Sequence, residues 1–160
     1  STSTGVMNSS GGGAVDLTFL TVDSSIDSLT QAVIEAGANI SVTGGNVDVS
    51  AVTLNRANAT TNSTSIGAVT FGTSDPTATI TATTEALAMG NITGTDGAPG
   101  AVNVRVTADG DDATTAGAKA LGVGLVTVGN STVLAQTSPT VNALAGGVRP
   151  ATDDGHILSL

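Results

Sequence analysis

Cysteine, tryptophan and tyrosine are absent from this 160-residue sequence, and its aromatic complement is Phe19 and Phe71. Without thiols there is no disulfide framework and no thiolate metal centre. Without large rings, a round core cannot be anchored on side chains that each contribute about 1.5–3 kcal/mol on burial. Positive charge is equally scarce: Arg56, Arg105, Lys119 and Arg149 face 13 acidic residues, leaving a net charge of −9. Cations this few and this scattered make no phosphate-binding groove, so nucleic acid is excluded as a partner, and an anionic membrane surface with it. The longest nearly apolar stretch, Ala120 to Val128, is broken by glycines and a threonine. It falls short of the roughly 20 residues that a spanning helix needs, so no membrane insertion is expected. The opening residues Ser1-Thr2-Ser3-Thr4-Gly5 carry neither a basic start nor an apolar run, and read as a mature protein or an internal fragment.

What is present is small. Alanine and valine supply most of the 39% hydrophobic fraction, and 21 residues are glycine. Such a chain has to bury many small groups in a thin, regular interior, which favours a repetitive architecture. Internal repeats are there. Asn46-Val47-Asp48-Val49-Ser50-Ala51 recurs as Asn103-Val104-Arg105-Val106-Thr107-Ala108 at an offset of 57. Gly67, Val69, Phe71 and Gly72 fall on Gly124, Val126, Val128 and Gly129 at the same offset, and Ala86-Leu87 falls on Ala143-Leu144. An earlier copy lies at offset 54, where Gly13, Val15 and Leu17 precede Gly67, Val69 and Phe71, and Asn8 precedes Asn62. Asn39-Ile40-Ser41 matches Asn91-Ile92-Thr93 at offset 52, so two residues are lost before it and five are gained around Gly94 to Gly100. Glycine, proline and aspartate at that density mark a turn, where insertion is tolerated.

Within the unit the period is two. Thr77 to Thr83 alternates Ala78, Ile80 and Ala82 with four threonines, the pattern of a half-buried strand. Ser24 to Ala36 has roughly helical spacing, yet its counterparts 78–90 and 135–147 are rich in threonine, proline and β-branched residues, so it reads as strand with turns. The expected fold is all-β: a parallel β-helix or β-solenoid over 1–160, with repeat units near 1–45 (partial), 46–102 and 103–160. Each unit is expected to divide into coils of about 19 residues. Val47, Val49, Val69, Phe71, Ile80, Ala86, Val104, Val106, Val126, Val128 and Ala143 are expected to line the interior, and Ile157 to Leu160 to open a further strand.

Asn46 to Ala51, the glycine-flanked run Leu121 to Gly129, and Ser138-Pro139-Thr140-Val141-Asn142-Ala143 resemble the β-strand-repeat regions of giant secreted bacterial filamentous adhesins, the leukotoxin and filamentous-haemagglutinin-like group. The resemblance covers nearly the whole chain and is compositional. It implies a right-handed parallel β-helix shaft, export across the outer membrane to the extracellular cell surface, and a role in attachment or matrix formation. It brings no catalytic constellation with it.

Candidate sites read accordingly. His156 is the sole histidine, and no nucleophile elbow accompanies it, so it reads as a solvated turn residue. Glu35 and Glu85 sit at shifted repeat positions, and Asn142 replaces Glu85 in the third copy, which suits solvent-facing strand residues better than a paired acid and base. No catalytic or cofactor-binding residue is expected. Calcium is the better candidate ligand, at Asp109, Asp111 and Asp112 in a glycine turn, although an EF-hand loop begun at Asp109 would need a glutamate where Ala120 stands. Gly11-Gly12-Gly13-Ala14-Val15-Asp16 departs from the calcium-binding nonapeptide at Ala14. Sequons stand at Asn8, Asn39, Asn58, Asn62, Asn91 and Asn130. The Thr77 to Thr83 ladder would suit ordered water, but its third-copy counterpart 134–140 breaks the pattern. The expectation is a non-enzymatic structural or adhesive module whose partners are itself, through adjacent repeats or head-to-tail copies, and a host or matrix surface. A self-assembling fibre or sheath subunit is the alternative, and a polysaccharide-active β-helix enzyme comes third.

Overall fold

A computed structural model describes residues 1–94 and 103–146. His156, most of the turn expected at 94–100, and the strand expected at 157–160 lie outside the described residues. Every regular element described is a strand: β1 (Thr2–Ile34), β2 (Asn39–Val42), β3 (Asn46–Ala88), β4 (Asn91–Gly94), β5 (Asn103–Val123), β6 (Val126–Ser131) and β7 (Leu134–Ala145). The ambiguous segment from Ser24 is strand as far as Ile34. A turn follows in which Gly37 takes φ of +86°, a conformation open to glycine without a steric cost.

The strands pair copy to copy. β1, β3 and β5 are hydrogen-bonded in that order, β6 and β7 also pair with β3, and β2 pairs with β4. The β3–β6 and β2–β4 ladders are parallel, with Val69 against Val126, Phe71 against Val128, and Asn39 against Asn91. Side chains 54 residues apart meet between β1 and β3, as Asn8 with Asn62 and Gln31 with Glu85. A constant difference in residue number, rather than a constant sum, is the mark of strands running the same way. The offset drops to 52 at Asn39 and Asn91 and rises to 57 at Asn46 and Asn103, where the sequence loses and gains residues.

Hydrogen-bonded neighbours are therefore one whole repeat apart. This corrects the expected coils of about 19 residues. A third of a unit does not resemble the next third, whereas a shift of one full unit stacks asparagine on asparagine and glycine on glycine. The long strands bend to achieve it. Thr61 and Ser74, both in β3, share a hydroxyl–hydroxyl hydrogen bond, and 13 residues of straight strand would hold them about 43 Å apart.

Contacts divide the chain into two compact units, each drawing a segment from every copy. Unit 1 comprises Ser1–Leu29, Thr53–Thr83 and Gly110–Thr140. Its apolar cluster is Val22, Ile26, Ala57, Ala59, Ala78, Ile80 and Ala82, with Ala116 packed against it. The expected alternation holds here, since Ala78, Ile80 and Ala82 are buried while Thr81 is exposed. Unit 2 comprises Thr30–Val52, Thr84–Asp109 and the described residues of Val141–Leu160. Its cluster is Val49, Ala51, Ala86 and Ala88, flanked by Ala32, Ile34, Val47, Val106 and Ala108.

Several residues expected inside are outside. Val69 is half-buried, and Phe71, Val126 and Val128 are exposed, because this stretch turns its hydroxyl face inward: Thr70 and Ser74 are each 2% exposed. Thr70 Oγ1 donates to Thr127 Oγ1 in the next layer at 3.2 Å, and the Ser74 hydroxyl pairs with that of Thr61 in its own copy, so both buried hydroxyls are satisfied. Val104 and Ala143 are exposed for a different reason. Their equivalents in the middle copy are better covered, Ala86 being fully buried and Val47 half-buried, and no described residue of the third copy reaches full burial.

The glycine column explains how layers approach so closely. A Cβ added to Gly67 would overlap the carbonyl oxygen of Gly13, and one added to Gly124 would overlap that of Gly67. Gly129 has open space around it. Gly67→Ala is expected to destabilise the chain by about 1–3 kcal/mol, while Gly129→Ala stays within about 0.5 kcal/mol of the parent. Urea unfolding of the two variants measures the difference.

Candidate functional site

Charge concentrates on unit 1 where β3 lies beside β5. Arg56 follows the buried Asn55 and projects from β3 beside Asp111, with Nη2 at 2.8 Å from Asp111 Oδ2. Its Nη1 donates to the carbonyl oxygens of Asn55 and Asp111, each at 2.9 Å. The guanidinium thus ties two layers by their backbone as well as by charge. The hydrogen bond from Arg56 holds the Asp111 carboxyl below its ordinary range, against a smaller opposing effect of desolvation. The same bond raises Arg56 further. Both side chains are open to water, at 42% and 66% exposure, which screens the pair.

Asp112 points to the other face of the strand, as successive strand residues do. Its Oδ1 accepts from Asn55 Nδ2 at 2.8 Å, and the second hydrogen of the same amide goes to Ser28 Oγ at 3.0 Å. Asn55 is 1% exposed, and its Oδ1 is buried without a donor. The carboxylates of Asp111 and Asp112 are therefore held apart by separate partners rather than gathered around one ion. Asp109 is an exposed residue of unit 2. Among the described residues no three His, Cys, Asp or Glu side chains come together as a metal-binding group.

Comparison with protein family models, with curated proteins and with solved structures finds no match. What the site can do thus rests on geometry.

Glu35 lies in the turn after β1, where its carbonyl accepts from Ala38 N at 3.1 Å. Glu85, in β3, accepts a hydrogen bond from Gln31 Nε2 across the layer boundary. The sequons divide into two groups. The repeated ones pair across the layers, where Asn62 Nδ2 donates to Asn8 Oδ1 at 2.8 Å and Asn91 Nδ2 to Asn39 Oδ1 at 3.2 Å, so the amide nitrogen is occupied in Asn62 and Asn91. Asn46 and Asn103, which are not sequons, make the same ladder at 3.1 Å. Asn58 instead accepts from Thr60, the hydroxyl residue of its own sequon, at 3.3 Å, and Asn130 is exposed in β6 opposite Thr73. Sequence reasoning missed the Asn55–Asp112 and Arg56–Asp111 pairs. The offset of 57 that joins Asn55 to Asp112 was the signal that could have found the first.

The arrangement chemically suits joining layers. The lowered carboxyl of Asp111 has a signed consequence for pH. The pair contributes stability above the unfolded-state titration of Asp111, and the contribution disappears as pH falls through the lowered folded-state value. Arg56→Gln is expected to return the Asp111 midpoint upward to the ordinary aspartate range in an NMR titration. The parent and this variant should differ in stability at neutral pH and converge in acid.

Proposed function

We propose that the chain is a non-enzymatic structural and adhesive repeat module of an extracellular bacterial filament, built as a parallel β-helix whose coil is one whole 54–57-residue unit. The observation that carries this reading is the stacking of like residues on like at one-repeat offsets, with β3 folding back so that Thr61 meets Ser74. Such a stack extends by adding identical layers, and its side-chain hydrogen bonds serve cohesion. The outward columns supply the adhesive element. Val15, Leu17 and Phe19 in the first copy, Phe71 in the second, and Val126 and Val128 in the third are exposed on unit 1. Exposed apolar side chains grouped in this way mark contact surfaces. Beads coated with the protein should be retained on host-cell matrix or an apolar surface well above albumin-coated beads. Phe19→Ser combined with Phe71→Ser should remove most of that excess. Retention no better than albumin would end the adhesive reading.

A second reading, a fibre subunit that stacks on its own copies, is favoured by the third copy. There Leu125 is 91% exposed, and Leu121, Val133 and Leu134 of the same unit remain open to water. A further layer in the same register, from the same chain or an identical one, would cover part of this surface and continue the backbone ladder. Sedimentation should show mass increasing with concentration. A monomer that persists at every concentration would remove the fibre reading while leaving the adhesive one intact.

A further inference from the structure

The outward apolar columns of unit 1 run together into one strip across all three copies. Val69 pairs with Val126 and Phe71 with Val128. On the first-copy side, residues flanking Val15 and Leu17 touch β3 at the matching places: a Cβ on Gly67 would overlap the carbonyl oxygen of Gly13, and one on Gly72 would meet that of Thr18 at 3.6 Å. Leu17 therefore lies beside Phe71, and Phe19 follows it on the same face, since the intervening Thr18 is buried. Leu125 extends the strip in the third copy, where its N–H donates to the Ala68 carbonyl at 3.1 Å. Val15 and Leu17 are 61% exposed, Phe19 72%, Phe71 40%, and Val126 and Val128 50%. At these exposures the strip presents on the order of 700 Å² of apolar surface, above the roughly 300–600 Å² of the largest patch on an ordinary monomer and close to the ~800 Å² that each partner gives to a standard interface. Segments 12–19, 66–72 and 123–129 hold one ionisable residue, Asp16, whose carboxylate lies against Gly11. The chain as a whole carries a net charge of −9.

We infer that this strip docks against the same strip on a second copy of the chain, so that the adhesion assigned above to these columns, on which the inference rests, is homophilic. Two chains of this charge repel wherever their acidic surfaces approach, and contact is least opposed where neither surface is charged. A partner of opposite charge would be drawn to the acidic surface instead. The area of the strip matches what one side of a stable pair buries. Strip against strip is an isologous contact, related by a two-fold axis, and it closes at two copies. The middle layers then face each other and bring Phe71 of one chain towards Phe71 of the other, with Leu17, Phe19, Val128 and Leu125 on either side. Such a contact joins separate stacks sideways and leaves the backbone ladder within each stack untouched.

Sedimentation equilibrium of the full chain over a range of concentration and salt tests the pairing, and clumping of protein-coated beads in buffer alone tests its adhesive use. A dimer is expected, tightening as the Debye length falls from about 30 Å at 0.01 M salt to about 3 Å at 1 M, because salt screens the repulsion between the two net charges. Phe19→Ser combined with Phe71→Ser should weaken it about tenfold or more and disperse the beads. Circular dichroism should stay that of the parent, since both side chains are exposed. The chain has no cysteine of its own, so a bis-maleimide should join two copies of Ala68→Cys, exposed within the strip, and leave Thr81→Cys, exposed on β3 outside it, as monomer. A monomer at every concentration and salt overturns the inference. So does growth past the dimer that the double serine variant leaves unchanged, the result that stacking of layers would give. Beads retained on host matrix or an apolar surface yet dispersed in buffer overturn the second copy as partner and leave the adhesive reading standing. Beads that clump in buffer without being retained support the pairing and end the attachment to a host surface.

Discussion

Backbone hydrogen bonding at a distance of one full repeat is the constraint on which the rest of this structure depends. Parallel strands 4.7–4.9 Å apart leave each residue facing its own counterpart in the next copy. Any side chain that cannot stack on itself is therefore penalised in every layer. Alanine, threonine, valine and glycine meet that condition at little steric cost, and the composition follows from it. The glycine column at 13, 67 and 124 is the extreme case, where the backbone of one layer occupies the space that a side chain of the next would need. The asparagine ladders are the complementary case, in which an amide both donates and accepts and so joins an unlimited number of equivalents. Changes in offset are confined to the segments around 34–39 and 94–103, because a shift anywhere else would break every ladder beyond it.

Much of this was legible in the sequence. The offsets of 52, 54 and 57 reappear as hydrogen-bonded registers, and the alternation at 77–83 reappears as buried Ala78, Ile80 and Ala82. The face of the 69–74 stretch was not legible, for a definite reason. Period-two reading assigns the apolar set to the interior, which holds where the interior is apolar. Here Thr70 and Ser74 face inward because their hydroxyls find partners there: Thr70 donates to Thr127, the Ser74 hydroxyl pairs with that of Thr61, and Ser131 donates to the carbonyl of Ser74 at 3.0 Å. The recurrence of hydroxyls at 70 and 127 and at 74 and 131 carries this information, whereas hydropathy does not. The coil length was misread for a related reason. A coil of about 19 residues is a general expectation for a β-helix, while the only self-similarity in this chain is the whole unit. In the site, single residues such as Asp111 and Asp112 could be singled out, but their partners lie a repeat away and on opposite strand faces, which only the register discloses.

Several polar side chains of the described residues join one strand to another. Arg56 holds Asp111 and two carbonyls, Asn55 spans Ser28 and Asp112, and Gln31 reaches Glu85. Each links strands far apart in sequence, and each is weak alone because water competes for the exposed ones. Their sum acts in the same direction as the backbone ladder. A carboxylate already fixed in such a link is poorly placed to move a proton to or from a substrate, since the link would have to break first.

Division of labour between the two strand faces then follows from the register. The inward face is constrained in every layer, so a substitution there is felt by the layers on both sides, most strongly in the middle copy where Ala59, Ala78 and Ala86 are fully buried. The outward face meets only its vertical neighbours and water, so its residues differ from copy to copy: Leu17, Phe71 and Val128 occupy one column, and Phe19, Thr73 and Asn130 the next. In the adhesive reading proposed above, recognition belongs on that outward face because it is the one place where chemistry can change without disturbing the stack.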